Sequence, residues 1–294
     1  MSRPTLETQL PSEDLLWEGL SFPILTGEEL AKEHAADGYR VHFHNGVWWT
    51  EVKPFFSMPC DIHTQVDQID SRPRLDYALG GYMHLSAPNS HTNAIYRLII
   101  SENVMRYSIG NLSRNRQRQV RHALSNLKVR PVERLEQLLT DGHEVYSSWH
   151  QRVKWGADKT NRPRFEAWIS RAFHQPKKII LGAYRGNNLV AFMLPNAVGN
   201  TASPCFVASR TDCLSYAPND ALFHAFLCIV RQTKGVQSAN LGGLCSKSSL
   251  NQFKLHYGDL KSFSSYVWIN PMIRPIVLRW MTRRYPWLGL SSAA

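Results

Sequence analysis

The residues best suited to chemistry lie toward the C-terminal end. Lys254 stands near the start of a short helical segment, Ser248 to Tyr257, that follows the glycine turn Gly242-Gly243. A lysine in that position can hold a fixed positive charge against a phosphate or a developing oxyanion. Read alone, it is equally a solvated lysine on an amphipathic helix, with Phe253 beside it a core residue. Acyl transfer from a thioester or aminoacyl ester to an amine suits such a site. That reaction needs a donor pocket, stabilisation of the oxyanion and loss of a proton from the attacking nitrogen. It needs no covalent nucleophile, and the sequence offers none: there is no Gly-x-Ser-x-Gly elbow and no nucleophile motif around any cysteine.

Two further segments carry charge or polarity in a useful order. Tyr216, Asn219 and Asp220 precede an apolar helix, whose free N–H groups and positive dipole end make an anion site there. Asp220 can instead cap that helix, and His224, one turn further on, reads as a packed histidine. Upstream, turns of about 100° per residue place Arg114, Arg118, Arg121 and Lys128 on one helical face. That face suits phosphates of a tRNA, a nucleotide-linked precursor or a lipid headgroup, or is simply a solvated helix face. Arg116 lies closer to the apolar stripe and should snorkel or pair.

The chain has 294 residues, with 34 Lys and Arg against 23 Asp and Glu for a net charge of +11, which favours an anionic partner. Its five cysteines form no Cys-x-x-Cys pair and its twelve histidines show no metal-binding spacing, so neither a disulfide framework nor a metal is expected. The first residues lack the apolar run of a signal peptide, and no run is long enough to span a bilayer. The expected location is the cytoplasm, with peripheral contact to an anionic membrane through a basic amphipathic helix from Met272 to Arg284. That helix can equally cap a domain core.

The elements that must position these residues follow from periodicity and turn chemistry. Thr26 and Glu29 form a capping-box pattern. Asn45-Gly46 closes a hairpin between two β-rich runs. Strands are expected at Leu75 to Leu85 and Ala94 to Ile100. From Asn111 the pattern becomes helical, with Ser113 as N-cap and Val120, Ala123, Leu124 and Leu127 as the apolar stripe. Helices follow at Val132 to Trp155, with a break at Asp141-Gly142, and at Arg164 to His174. A three-stranded meander, an apolar helix from Ala221 to Thr233, a short strand Ser238 to Leu244, and a strand Lys261 to Ile269 complete the order.

That order resembles a GNAT N-acyltransferase domain over residues 111 to 269, in particular the branch of the FemABX-like peptidoglycan bridge-forming aminoacyltransferases. Two local matches carry the resemblance. Asn111 to Ala123 is similar to the family's basic helix. Phe253-Lys254, followed three residues later by Tyr257-Gly258, resembles its terminal segment, which comes just after a short glycine-ended strand such as Asn240-Leu241-Gly242-Gly243. The resemblance implies an α/β fold with a mixed, largely antiparallel sheet, with residues 111 to 294 as the acyltransferase domain and residues 1 to 110 as a diverged GNAT half. It implies an acyl-CoA or aminoacyl-tRNA donor, an amine acceptor in cell-envelope or polysaccharide metabolism, and no metal. Lys254 and Asn240 become the catalytic candidates; Tyr216, Asn219, Phe253, Arg114, Arg118 and Arg121 become the substrate-binding ones. Asn240 stands where many relatives carry Asp, and Tyr216 to Asp220 replace the glycine-rich pyrophosphate loop of acetyl-CoA users. Those departures admit a second reading, an inactive GNAT fold that binds nucleic acid or anionic lipid.

Overall fold

The computed structural model describes residues 16–67, 79–153, 161–245 and 247–275. In the N-terminal part, β1 (Ile24–Leu25) leads into α1 (Gly27–Ala36), where Thr26 and Glu29 close the expected capping box. The hairpin of β2 (Val41–His44) and β3 (Val47–Lys53) turns at Asn45 and Gly46, with φ of 46° and 77°. These are the left-handed angles that a two-residue turn demands. Then come β4 (Phe56–Pro59), β5 (Gln65–Val66), β6 (Gly81–Ser86) and β7 (Ala94–Glu102). The strand expected from Leu75 therefore begins at Gly81; residues 68–78 lie outside the described residues.

The basic helix α2 (Arg114–Asn126) buries Val120, Ala123 and Leu127, as its stripe predicts. Ser113 occupies the N-cap position without a side-chain cap bond. The next segment departs from expectation. Residues Lys128–Pro131 form β8, and the Val132 N–H donates to the Ile180 carbonyl, so the helix expected from Val132 cannot start there. It starts instead at α3 (Leu135–Gln137) and continues through a π-turn at Leu138–Gly142 into α4 (His143–Val153). The expected break at Asp141-Gly142 is thus a local widening of the helix. Helix α5 (Arg162–His174) is capped by Asn161.

The meander is β9 (Leu181–Arg185), β10 (Asn188–Val198) and β11 (Thr201–Ser209), followed by α6 (Pro218–Gln232), β12 (Ser238–Gly243), α7 (Ser248–Leu255) and β13 (Asp259–Ile269). The C-terminal helix expected at Met272 to Arg284 lies mostly outside the described residues, which end at Pro275.

All these strands share one mixed sheet in the order β2-β3-β4-β6-β13-β7-β12-β11-β10-β9-β8, with β1 on β10 and β5 on β6. Strand β7 sits between β12 and β13, and β6 borders β13, so strands from the two ends of the sequence alternate at the centre. Around the meander both faces are covered. Ala191, Met193 and Ala239 pack with α2 and α6 on one face, while Phe192, Leu194 and Ala208 pack with α4 and α5 on the other. Helix α6 is buried from Asp220 through Val230, as an apolar helix must be. Each fully buried Phe or Leu in it, Phe226 and Leu222 among them, contributes about 1.5–3 kcal/mol by leaving water.

Candidate active site

The centre of the sheet contains a fork. Strands β11 and β12 run parallel and pair only at Thr201 with Ser238 and Ala202 with Ala239. Beyond that point β11 continues beside β10 to Ser209, while β12 follows β7. The pairing of β12 with β7 is irregular between Asn240 and Gly243, and Gly242 takes a φ of 91°, open only to a residue without a Cβ.

Lys254 and Asn240 both reach this irregular segment. Lys254 does so from the last turn of α7 and not from near a helix start as expected, so its charge is placed by the fold of α7 back onto β12 and not by a helix N-terminus. The Lys254 ammonium donates to the Gly243 carbonyl at 3.0 Å, and a Cβ on Gly242 would stand 3.1 Å from Nζ. Asn240 is buried, and its Oδ1 accepts the Gly242 N–H at 2.8 Å. Burial lowers the Lys254 pKa, and among the described residues no carboxylate pairs with it. The site therefore holds a partly desolvated cation whose partner is a neutral carbonyl, and such a cation gains from an incoming anion.

The rest of α7 is held in place by a buried ionic cluster. Asp220, in the first turn of α6, accepts from Arg116 Nη1 at 2.5 Å and from the Tyr257 hydroxyl at 2.7 Å. The Arg116 guanidinium also lies 5.3 Å from the Phe253 ring centroid. Arg116 thus pairs, as its position near the apolar stripe predicts. Asp220 does not act as the helix cap: Ala217 holds the N-cap position, at φ 52°, and makes no side-chain bond. Burial and the neighbouring Asp220 charge raise the Tyr257 pKa well above the usual phenol range, so its hydroxyl stays a donor. Gly258 is required next, because a Cβ there would meet the Ile100 backbone at 2.8 Å. The Phe-Lys-x-x-Tyr-Gly pattern thus has a packing logic: Phe253 and Tyr257 lock the helix while Lys254 points to the strand end.

The remaining candidates lie around the start of α6. Tyr216 is covered by the Arg185 guanidinium at 4.2 Å, and Asn219 has a buried Oδ1 with no protein partner. Arg114, Arg118 and Arg121 are exposed on α2, with Arg118 donating to Asn115. His224 is packed, as read from the sequence, with the Tyr107 hydroxyl 2.9 Å from Nδ1 and Trp17 edge-on at 5.4 Å. The structure groups Lys254 and Asn240 at one turn and ties Phe253 to Arg116; among the described residues no hydrogen bond joins the Tyr216 or Asn219 side chain to that turn. Sequence reasoning missed one residue. His63, in the loop after β4, lies 3.0 Å through Nε2 from Asn240 Nδ2. No signal in the sequence links positions so far apart.

No family model matches the chain, and no curated protein matches its sequence. Solved structures do match its fold. FemX superposes with a TM-score of 0.59 at 11% identity, over 90% of this chain and 97% of that one. The C-terminal domain of a protein named as a lysylphosphatidylglycerol synthetase, from Agrobacterium fabrum, gives 0.57 at 12% identity, over 91% and 98%. L-PGS from Bacillus licheniformis gives 0.52 at 13% identity, over 93% and 95%. The mixed, largely antiparallel α/β architecture expected from the sequence is therefore the one present, and this chain has a fold like those of FemX and the lysylphosphatidylglycerol synthetase domain.

Proposed function

We propose that this protein is an N-acyltransferase that moves an acyl or aminoacyl group from acyl-CoA or aminoacyl-tRNA to an amine acceptor of the cell envelope. One observation carries the reading: Lys254, partly desolvated and bonded to a backbone carbonyl, stands at the end of β12 where the sheet forks. An unpaired cation there offsets charge on the carbonyl oxygen as the amine attacks. The exposed Arg114, Arg118 and Arg121 face gives a phosphate-bearing donor a landing surface, and Tyr216 and Asn219 border it at the start of α6. Fold likeness to FemX and to a lysylphosphatidylglycerol synthetase domain supports an aminoacyl donor and an envelope acceptor. No helix among the described residues is long and apolar enough to cross a membrane. The net charge of +11 supports a peripheral contact with an anionic membrane, at its inner face from the cytoplasm.

The test is mass-detected binding and thermal shift against a panel of acyl-CoAs and aminoacyl-tRNAs, with wild type and Lys254→Ala side by side. A ligand of the native state raises the apparent stability. Stabilisation by one donor class, lost in Lys254→Ala, supports the reading; a steep fall of binding with salt selects tRNA over CoA. Absence of any donor effect, with retention of polyanions or anionic vesicles, moves the protein to the inactive binding module.

A further inference from the structure

Asn240 is bonded on both sides, and the geometry fixes which way it points. Its Oδ1 accepts from the Gly242 backbone N–H, a group that can only donate, so its Nδ2 faces His63. An amide nitrogen can only donate as well. His63 Nε2 must therefore be the acceptor at 3.0 Å, and the proton of the neutral ring must sit on Nδ1. His63 is itself built in. Its backbone N–H donates to the Asp61 carboxylate at 3.0 Å, Thr64 closes the turn on the Asp61 carbonyl, and the ring meets Phe263 of β13 edge-on at 6.5 Å. Burial lowers its pKa, which agrees with a ring that stays neutral.

We infer that Asn240 is a positioning residue that holds His63 as the Nδ1–H tautomer, so that this imidazole, supplied from the loop after β4, serves acyl transfer as a hydrogen-bond donor and not as a base. The inference rests on the transferase reading above. In the step it serves, the amine nitrogen bonds to the acyl carbon, the carbon–oxygen or carbon–sulfur bond to the carrier breaks, and the proton lost by the amine leaves on the carrier. The Nδ1 proton stays on the ring and donates a hydrogen bond to the acyl oxygen while that oxygen carries charge. A ring tied through Nε2 and protonated on Nδ1 has no lone pair free for proton abstraction.

Asn240→Asp is the informative variant, because a carboxylate still accepts from Gly242 but must also accept from His63, which moves the ring proton to Nε2. Nitrogen NMR of ring-labelled histidine reads this directly, whether or not the enzyme's substrate is known. The expected wild-type result is a protonated Nδ1 and an unprotonated Nε2, exchanged in Asn240→Asp. With the donor that wild type accepts, kcat should fall about 100-fold in Asn240→Asp with KM little changed, as for loss of one oxyanion donor. His63→Gln keeps an acceptor for Asn240 and so keeps the loop anchored; it should lose kcat while keeping its melting temperature. A wild-type ring protonated on Nε2 overturns the inference, as does unchanged kcat in a tautomer-exchanged Asn240→Asp or in folded His63→Gln. Wild type that turns over no donor in the panel, with the expected tautomer present, overturns the transferase reading and His63's part in it, and leaves only the Asn240–His63 geometry standing.

Discussion

Substituting Asp220 by alanine strands two donors at once. The Arg116 and Asp220 side chains are only 13% and 9% exposed, so their bond is not the screened surface pair that contributes little. Removing one member of a buried pair costs about 3–5 kcal/mol, because the other charge remains without a counterion. The Tyr257 hydroxyl also loses its acceptor, in a side chain 4% exposed. Both costs arise from one carboxylate and overlap, so about 4 kcal/mol is expected in total. At about 2 °C per kcal/mol for a chain this long, the melting temperature should fall by roughly 8 °C. Asp220→Asn keeps an acceptor and should cost about half as much. Replacing both partners, as Arg116→Met with Asp220→Leu, should recover most of the loss, since an apolar pair leaves no buried charge. Urea unfolding reads these values as shifts in midpoint at constant slope. Asp220→Ala within 1 kcal/mol of wild type, or a double variant whose loss equals the sum of the single losses, would refute the argument.

Three other outcomes follow from the same geometry. Gly258→Ala forces a Cβ onto the Ile100 backbone, which cannot yield as a side chain does, and should cost about 1–3 kcal/mol by urea unfolding; a neutral result contradicts the packing account. Gly242→Ala places a side chain at φ 91° beside Lys254 Nζ; it should cost about 1–2 kcal/mol of stability yet lower donor binding well beyond that loss, and equal effects on both would contradict the placement of Lys254. The buried His84 and the half-buried His34 and His63 all have pKa values lowered from the usual 6.5 by desolvation. Below that pH the unfolded chain takes up protons that the fold refuses, so the urea midpoint should drop as pH falls through 6.5 toward their lower folded values. His84→Phe should flatten that slope, and a midpoint that rises on acidification would reverse the sign of the argument.

Local chemistry made much of the fold readable in advance. The Asn45-Gly46 hairpin, the Thr26 capping box and the α2 stripe are short-range patterns, and each is present. The failures are places where a distant strand decides. Val132 has helical periodicity downstream, but its N–H is taken by Ile180, nearly fifty residues away, and β8 forms instead. The central order β6-β13-β7-β12 brings together strands from opposite ends of the sequence, and no local pattern encodes that. The same distinction runs through the site. The position of Arg116 near its apolar stripe already implied a partner, while the identity of that partner, Asp220, depends on how α2 meets α6. His63 carried no signal at all, because its importance comes only from lying against Asn240.

The central claim is that Lys254 serves acyl transfer, and a mass-resolved transfer assay tests it most directly. Wild type, Lys254→Ala and Lys254→Arg would each be incubated with the acyl-CoA and aminoacyl-tRNA panel and a set of amines: amino sugars, peptide amines and vesicles bearing amino headgroups. The expected result is an acceptor whose mass rises by one acyl group with wild type, at least 100-fold less product with folded Lys254→Ala, and partial recovery with Lys254→Arg. Equal product from wild type and Lys254→Ala, or none from wild type with any donor, would contradict it.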